Sequence, residues 1–293
     1  MDVGDVGDYF VVVTNPNGSA SSFPDNDVRV TLRGAFVIEA EDYNFGAGQT
    51  VEAASVMPLV SGLFHGMDGL QSVDFFIIED TADSAAGGNN LRNGWTNNGV
   101  VIPALPGANV DVVQDNEGGN SVRPDFTLTN NYKLGWSNPG EWFQYTRTFP
   151  PGRYSAVFVG AREGRAADVM GRTLELVTGD RSQPGATTAV LGELLADGTG
   201  GWSSHDWVPF LEPAGGGIAE FDLSGPQTLR LRHSVGDGDD DAILLYRLPS
   251  SVNSPPQMAL IDDQFMDEGQ TLSLSLIGSD SDLPEQTLTF SLV

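Results

Sequence analysis

The chain has 293 residues with 40 acidic and 14 basic side chains, a net charge of −26. Such a balance repels polyanions and anionic lipid surfaces, which sets nucleic acid and membrane aside as partners. The sequence contains no cysteine, so disulfides, thiolate metal sites and thiol nucleophiles are excluded, and no run of about 18 apolar residues marks a membrane-spanning helix.

Apolar residues make up 40% of the chain, and 36 Gly and 17 Pro punctuate it, a composition of short strands and turns around a sizeable core. The opening MDVGDVGDYF has neither the basic region nor the apolar run of a signal peptide. DYFVVVT at 8–14 reads as a strand, NPNG at 15–18 as a turn, and Val28–Leu32 as a second strand. FVIEAEDYNF at 36–45 then alternates. As a strand it sends Phe36, Ile38 and Ala40 to one face and Val37, Glu39 and Glu41 to the other. Two same-face carboxylates lie roughly 6.6 Å apart at Cα, close enough to repel unless water screens them or a cation bridges them. The strand alone leaves both options open.

Residues 46–130 are weakly patterned, with one strand, SVDFFII (72–78), and a Gly/Asn-rich loop at 85–99. From NYKLGW onward the pattern sharpens. GEWFQYTRTF reads as a strand, PPG at 150–152 as a turn, and RYSAVFVGA as the returning strand. TLELV (173–177), AVLGELL (189–195), IAEFDL (218–223), TLRLRHS (228–234) and AILLYRL (242–248) follow, and no segment has helical periodicity. SSVNSPPQ at 250–257 is a linker by composition, and DEGQTLSLSL with the pair Asp280 and Asp282 opens another run of short strands.

Several of these motifs resemble known families. Glu39-Ala40-Glu41, Gly135-Trp136, Gly140 to Thr146 (GEWFQYT), Pro151-Gly152-Arg153-Tyr154, Thr199-Gly200-Gly201-Trp202, QTLRLRH (227–233) and Asp239 to Ile243 stand in the order found in family 6 carbohydrate-binding modules, which have a galactose-binding-like fold. Asp5-x-Gly7-x-Tyr9 resembles the end of an immunoglobulin-like domain, and the stretch after 257 resembles the start of a cadherin-like repeat, whose DxD pairs hold calcium.

The resemblance implies an all-β chain: a jelly-roll β-sandwich with a long insertion and partial β-sandwich repeats at both ends. The expected divisions are 1–33, the last strands of an immunoglobulin-like domain; 34–249, the module, with its insertion at about 46–130; 250–257, a linker; and 258–293, the start of a further repeat. It further implies a structural calcium ion on Glu39, Glu41 and Asp241, linking the start of the module to its end. A sugar would lie on Trp136 and Trp202 beside Asp239, and a possible second cleft would involve Trp142 and Gln144 on a wet strand face. Asp239 replaces the Asn of the family pattern, and a carboxylate accepts hydrogen bonds but donates none.

The implied function is non-catalytic polysaccharide or glycan binding by a calcium-stabilised module, in tandem with other β-sandwich repeats of an extracellular or cell-surface protein. The alternative is a structural or adhesive spacer that has lost its cleft. Against catalysis, His65, His205 and His233 fall in no metalloprotease spacing, and no nucleophile elbow or phosphate loop is present. Glu141 could form a glycosidase pair only with an acid that sequence alone does not identify.

Overall fold

A computed structural model describes residues 33–50, 69–78, 122–128, 131–165, 168–213 and 216–249. Short pieces at 6–9, 12–15, 18–21, 28–30, 94–97, 100–103, 112–114 and 256–259 and scattered positions between 269 and 288 are also described. The chain forms two units, Met1–Arg247 and Leu248–Val293.

In the first unit, β1 (Gly7–Tyr9) and β2 (Val12–Asn15) are joined by β3 (Gly18–Ser21) and β4 (Val28–Val30) into two antiparallel pairs, β1 with β4 and β2 with β3. The β2–β3 pair ends on Asn15 opposite Gly18, which puts the hairpin at the NPNG signal.

Strand β5 is shorter than its alternation suggests. It runs Ala35–Glu39 and then tightens into a 3-10 turn, Ala40–Asp42. Glu39 and Glu41 are therefore not neighbours on one strand face, although both are buried. The expected strand at 72–78 shrinks to β6 (Phe75–Phe76), because residues 72–74 form a turn with Ser72 at a φ of 67°. Asp74 fixes that turn by accepting the amides of Ala47, Gly48 and Leu70 at 2.9, 2.6 and 2.9 Å. The stretch read as a loop at 85–99 contains β7 (Gly94–Asn97), which pairs with β8 (Val100–Pro103) and β9 (Val112–Gln114).

The remaining strands build the sandwich. They are β10 (Tyr132–Ser137), β11 (Trp142–Arg162), β12 (Met170–Val177), β13 (Thr188–Ala196), β14 (Gly201–Pro209), β15 (Phe221–Val235) and β16 (Gly238–Arg247). Pro150-Pro151-Gly152 is not a turn, and RYSAVFVGA does not fold back on GEWFQYT. The register against β15 slips between Phe149 and Gly152, and β11 continues. Its two halves have different neighbours: Trp142–Phe149 pairs with β15, with β6 along Trp142 and Phe143 on the other side, whereas Tyr154–Ala161 pairs with β16 and Val157–Arg162 with β14. The prolines lack amide donors, so a bulge that changes partners is where a strand tolerates them. β15 likewise joins the two expected strands at 218–223 and 228–234 into one.

One layer is ordered β13-β12-β15-β11-β6. In the other, β14 and β16 flank the second half of β11, and β5 and β10 both line the far edge of β16. Their inward faces share one core, with Leu174, Leu229, Leu231, Phe143 and Tyr145 from the first layer and Ile38, Phe158, Ile243 and Leu245 from the second. In the second unit, β17 (Gln257–Met258) pairs with β18 (Gly278–Ser279). Asp280 and Asp282 lie outside the described residues.

Candidate functional site

The residues singled out in the sequence fall into three places. The first is the junction of β5 and β16. Antiparallel pairing sets Glu39 opposite Ala242, and so beside Asp241. Glu39, Glu41, Asp42 and Asp241 are all buried there. The fold thus gathers the three expected calcium ligands, together with a residue that sequence reading missed, Arg123.

The Arg123 Nε donates to Glu39 Oε1 at 2.9 Å, and its Nη2 donates to Glu39 Oε2, to Asn131 Oδ1 at 3.1 Å and to Asp241 Oδ1 at 3.0 Å. Asn131 Nδ2 donates to Asp241 Oδ1 as well, at 3.0 Å. Burial pushes the Glu39 carboxyl up to about 7 against the pull of Arg123, and Asp241 shifts upward for the same reason. Burial raises Glu41 well above the usual carboxylate range, and the charges of Glu39 and Asp42 raise it further. Burial also works against the Arg123 charge, but Asp241 and Glu39 outweigh it and hold the guanidinium protonated. Glu41 Oε2 and Asp241 Oδ2 have no hydrogen-bond partner.

As a test of fit for calcium, the set divides. The two unpartnered oxygens suit a hard cation. The two oxygens of Glu39 and Oδ1 of Asp241 are taken by a guanidinium that calcium would have to displace, because two cations in contact repel. As it stands, the arrangement does not fit the ion. Among the described residues, no group of three or more His, Cys, Asp or Glu side chains is arranged to hold a metal.

The second place is the loop end at the start of β14. Trp202 is the second residue of that strand rather than part of a loop, and it remains 37% exposed. The TGGW motif is built by backbone requirements. Thr199 Oγ1 accepts the amide of Arg162 at 3.0 Å, and the Gly200 amide reaches the carbonyl of Gly164 at 2.7 Å. Gly200 has a φ of 94°, a conformation that glycine adopts freely. The indole Nε1 donates to Glu163 Oε2 at 3.0 Å.

Lys133 ties this tryptophan to Asp239. Its Nζ donates to the Trp202 carbonyl at 2.5 Å and lies 2.9 Å from Asp239 Oδ2. An ammonium donor thus stands beside the carboxylate that replaces the amide of the family pattern. Lys133 and Asp239 are both largely buried, so Trp202 is the exposed part of the group. Trp136 lies on β10, three residues after Lys133; its side chain lies outside the described residues. Lys133 carried no sequence signal beyond its place before the GW pair.

The third place is the outward face of the first layer, where Trp142, Gln144 and Thr146 of β11 lie beside Thr228, Arg230 and Arg232 of β15 and Glu175 of β12. This face is not the wet one expected. Trp142 is 7% exposed and Gln144 fully buried. The reason is β6, which the insertion lays along Trp142 and Phe143 so that Phe76 stacks on Trp142 at 6.3 Å. The Arg230 guanidinium sits 4.0 Å from the centre of the Trp142 ring. Burial lowers the Arg230 pKa to about 10, against the pull of Glu175.

Both amide atoms of Gln144 lack a hydrogen-bond partner, and burying them unpaired is costly. Gln144→Leu is therefore expected to raise stability by about 1 kcal/mol, read as a higher urea midpoint at unchanged slope. A lower midpoint would show that water or a ligand satisfies the amide.

Other notable side chains are buried where they are described. Glu141 accepts the amides of Asn138 at 2.8 Å, closing the NPGEW turn, and of Ile78 at 3.0 Å, tying that turn to the segment after β6. Trp207 is core, at 3% exposure. His233 is bound to Asp240 at 2.6 Å in the interior, His205 is buried, and His65 lies outside the described residues.

Searches of family models and of curated proteins return no match. Among solved structures, the C-terminal family 6 carbohydrate-binding module of LamC, a marine laminarinase from Zobellia galactanivorans, is 22% identical. It covers 47% of this chain and 89% of its own, with a TM-score of 0.30. The module CsCBM6-3 from Clostridium stercorarium, solved with cellobiose, is 18% identical over 47% of this chain and 93% of its own, with a TM-score of 0.32. A Podospora anserina GH26-CBM35 β-(1,4)-mannanase matches over 50% of this chain and 26% of its own at 14% identity, with a TM-score of 0.30.

Proposed function

We propose that the β-sandwich is a non-catalytic module that binds polysaccharide at its loop end, on the face of Trp202. The observation that carries this reading is an indole left 37% exposed while its Nε1 is fixed to Glu163. A flat apolar ring held rigid costs little entropy to present to the CH face of a pyranose. The adjoining Lys133–Asp239 pair offers a donor and an acceptor at its edge. The ordered motifs from Glu39-Ala40-Glu41 to Asp239 support the same reading, as does an acidic surface that has no use for a polyanion. Glu141 is buried and accepts two backbone amides, an arrangement that supports a structural role for this acid. The setting is a secreted or cell-surface protein in which the module, in tandem with other β-sandwich repeats, raises the local concentration of its neighbours on a glycan. Calcium at Glu39, Glu41 and Asp241 would have to dislodge Arg123 first.

Affinity electrophoresis across soluble polysaccharides tests the site. The wild type should be retarded by at least one of them, and Trp202→Ala should weaken that binding on the order of tenfold, about 1.4 kcal/mol, at unchanged melting temperature. Equal retardation of both proteins would move the binding elsewhere on the molecule. No retardation of either would favour the structural spacer.

A further inference from the structure

The carboxylate cluster at the β5–β16 junction shows what part of the long insertion does. Residues 122–128 form a turn, closed by the Val122–Thr127 bridge and by the Arg123 amide donating to the Phe126 carbonyl at 2.8 Å. Two side chains of this turn reach β5. Asp125 Oδ2 accepts the amide of Gly34 at 2.6 Å, just before the strand, and Arg123 binds Glu39 at its end. Arg123 also binds Asp241 on β16 and Asn131 just before β10. Its guanidinium is fully buried and joins, through one side chain, β5 and β16, whose Glu39 and Asp241 lie 84 and 118 residues from it along the chain.

This is the mechanical role of a bridging cation, filled by a group that is always charged and whose planar fork matches a carboxylate edge. The bridge also differs from a metal ion in that it is covalent on one side. It is present whenever the turn is folded, whatever the surrounding ion concentration. We propose that the Arg123 guanidinium is the resident cation of this cluster, standing where the sequence resemblance places calcium.

Thermal melting in millimolar calcium and in excess chelator, with calcium titration calorimetry alongside, tests it. The wild type should melt at one temperature in both solutions and take up no calcium. Arg123→Met keeps most of the apolar stem but removes the charge, and should melt about 10 °C lower. A wild type that binds calcium and melts higher in it, or an Arg123→Met protein that melts like the wild type, would overturn the proposal. Should Arg123→Met fail to fold, the wild-type comparison decides together with Arg123→Lys. The lysine variant keeps the charge without the fork and should fold with a smaller loss; a lysine variant as stable as the wild type would overturn the role of the guanidinium.

Discussion

Phe158→Ala should cost about 3–5 kcal/mol, read as a lower urea midpoint at unchanged slope. Phe158 is fully buried on the second half of β11, paired with Val208 of β14 and Ile243 of β16. Its ring lies over Gly160 so closely that a Cβ there would come within 2.3 Å of Cε1 and Cζ, and the Arg172 guanidinium stands 5.3 Å from the ring centre. A backbone on one side and a paired arginine on the other leave little to collapse into the space, which puts the cost at the upper end for an aromatic truncation. A loss under about 1 kcal/mol would mean that the interior repacks freely. Leu195→Ala, at a position 65% exposed, should by contrast change stability by less than about 0.5 kcal/mol.

Asp240→Ala should be similarly damaging, at about 3–5 kcal/mol. Asp240 is fully buried and holds two partners: Arg172 through Nε at 2.9 Å and His233 through Nε2 at 2.6 Å. Removing the carboxylate leaves a buried guanidinium with no counter-charge. The same trio sets an acid sensitivity. Burial, and then Arg172, hold the His233 pKa below 6.5, and its Nδ1 has no partner, which suits a neutral ring donating from Nε2. Below 6.5 the unfolded chain takes up a proton that the folded one refuses, so the contribution of His233 to stability falls as pH falls, opposite in sign to that of the raised Glu39 and Glu41 carboxyls. Asp240 adds to this at lower pH: burial resists its charge, but Arg172 and His233 overcome that and depress its pKa below 3.8. Its contribution is complete above that value and is lost as pH drops through the lower folded value. Urea unfolding at neutral pH and at about pH 5, compared between wild type and His233→Gln, isolates the histidine part: the variant should lose less stability, or gain more, on acidification. An equal change in both proteins would assign the acid sensitivity to other groups.

Much of the fold was readable from local pattern. GEWFQYT, TLELV, TLRLRHS and AILLYRL lie in β11, β12, β15 and β16, because runs rich in aromatic, β-branched and other apolar residues favour strands, although β12, β16 and the first half of β11 are buried on both faces. Chain direction at the irregular points was not readable. PPG has the composition of a turn, yet β11 passes through it, since a bulge and a turn call for the same residues and differ only in the partner beyond. GWSSHDWVP lacks clean alternation, and its strand, β14, exists because the second half of β11 offers it an edge.

The candidate site divides along the same line. The sequence by itself determined that the chain is all-β; its resemblance to a family implied that Glu39, Glu41 and Asp241 stand together, and the Gly-rich setting of Trp202 made it a candidate for exposure. Only the tertiary structure decided what stands among those carboxylates. Arg123 sits in a weakly patterned stretch, and its partners lie 84 and 118 residues away, so no local signal marks it. The same holds for Lys133, matched to Asp239 by strand pairing, and for Phe76, which covers Trp142. Periodicity reports which face of a strand is buried; the identity of the group that meets a buried charge is set by contacts between segments far apart in the chain, and those exist only in the folded molecule.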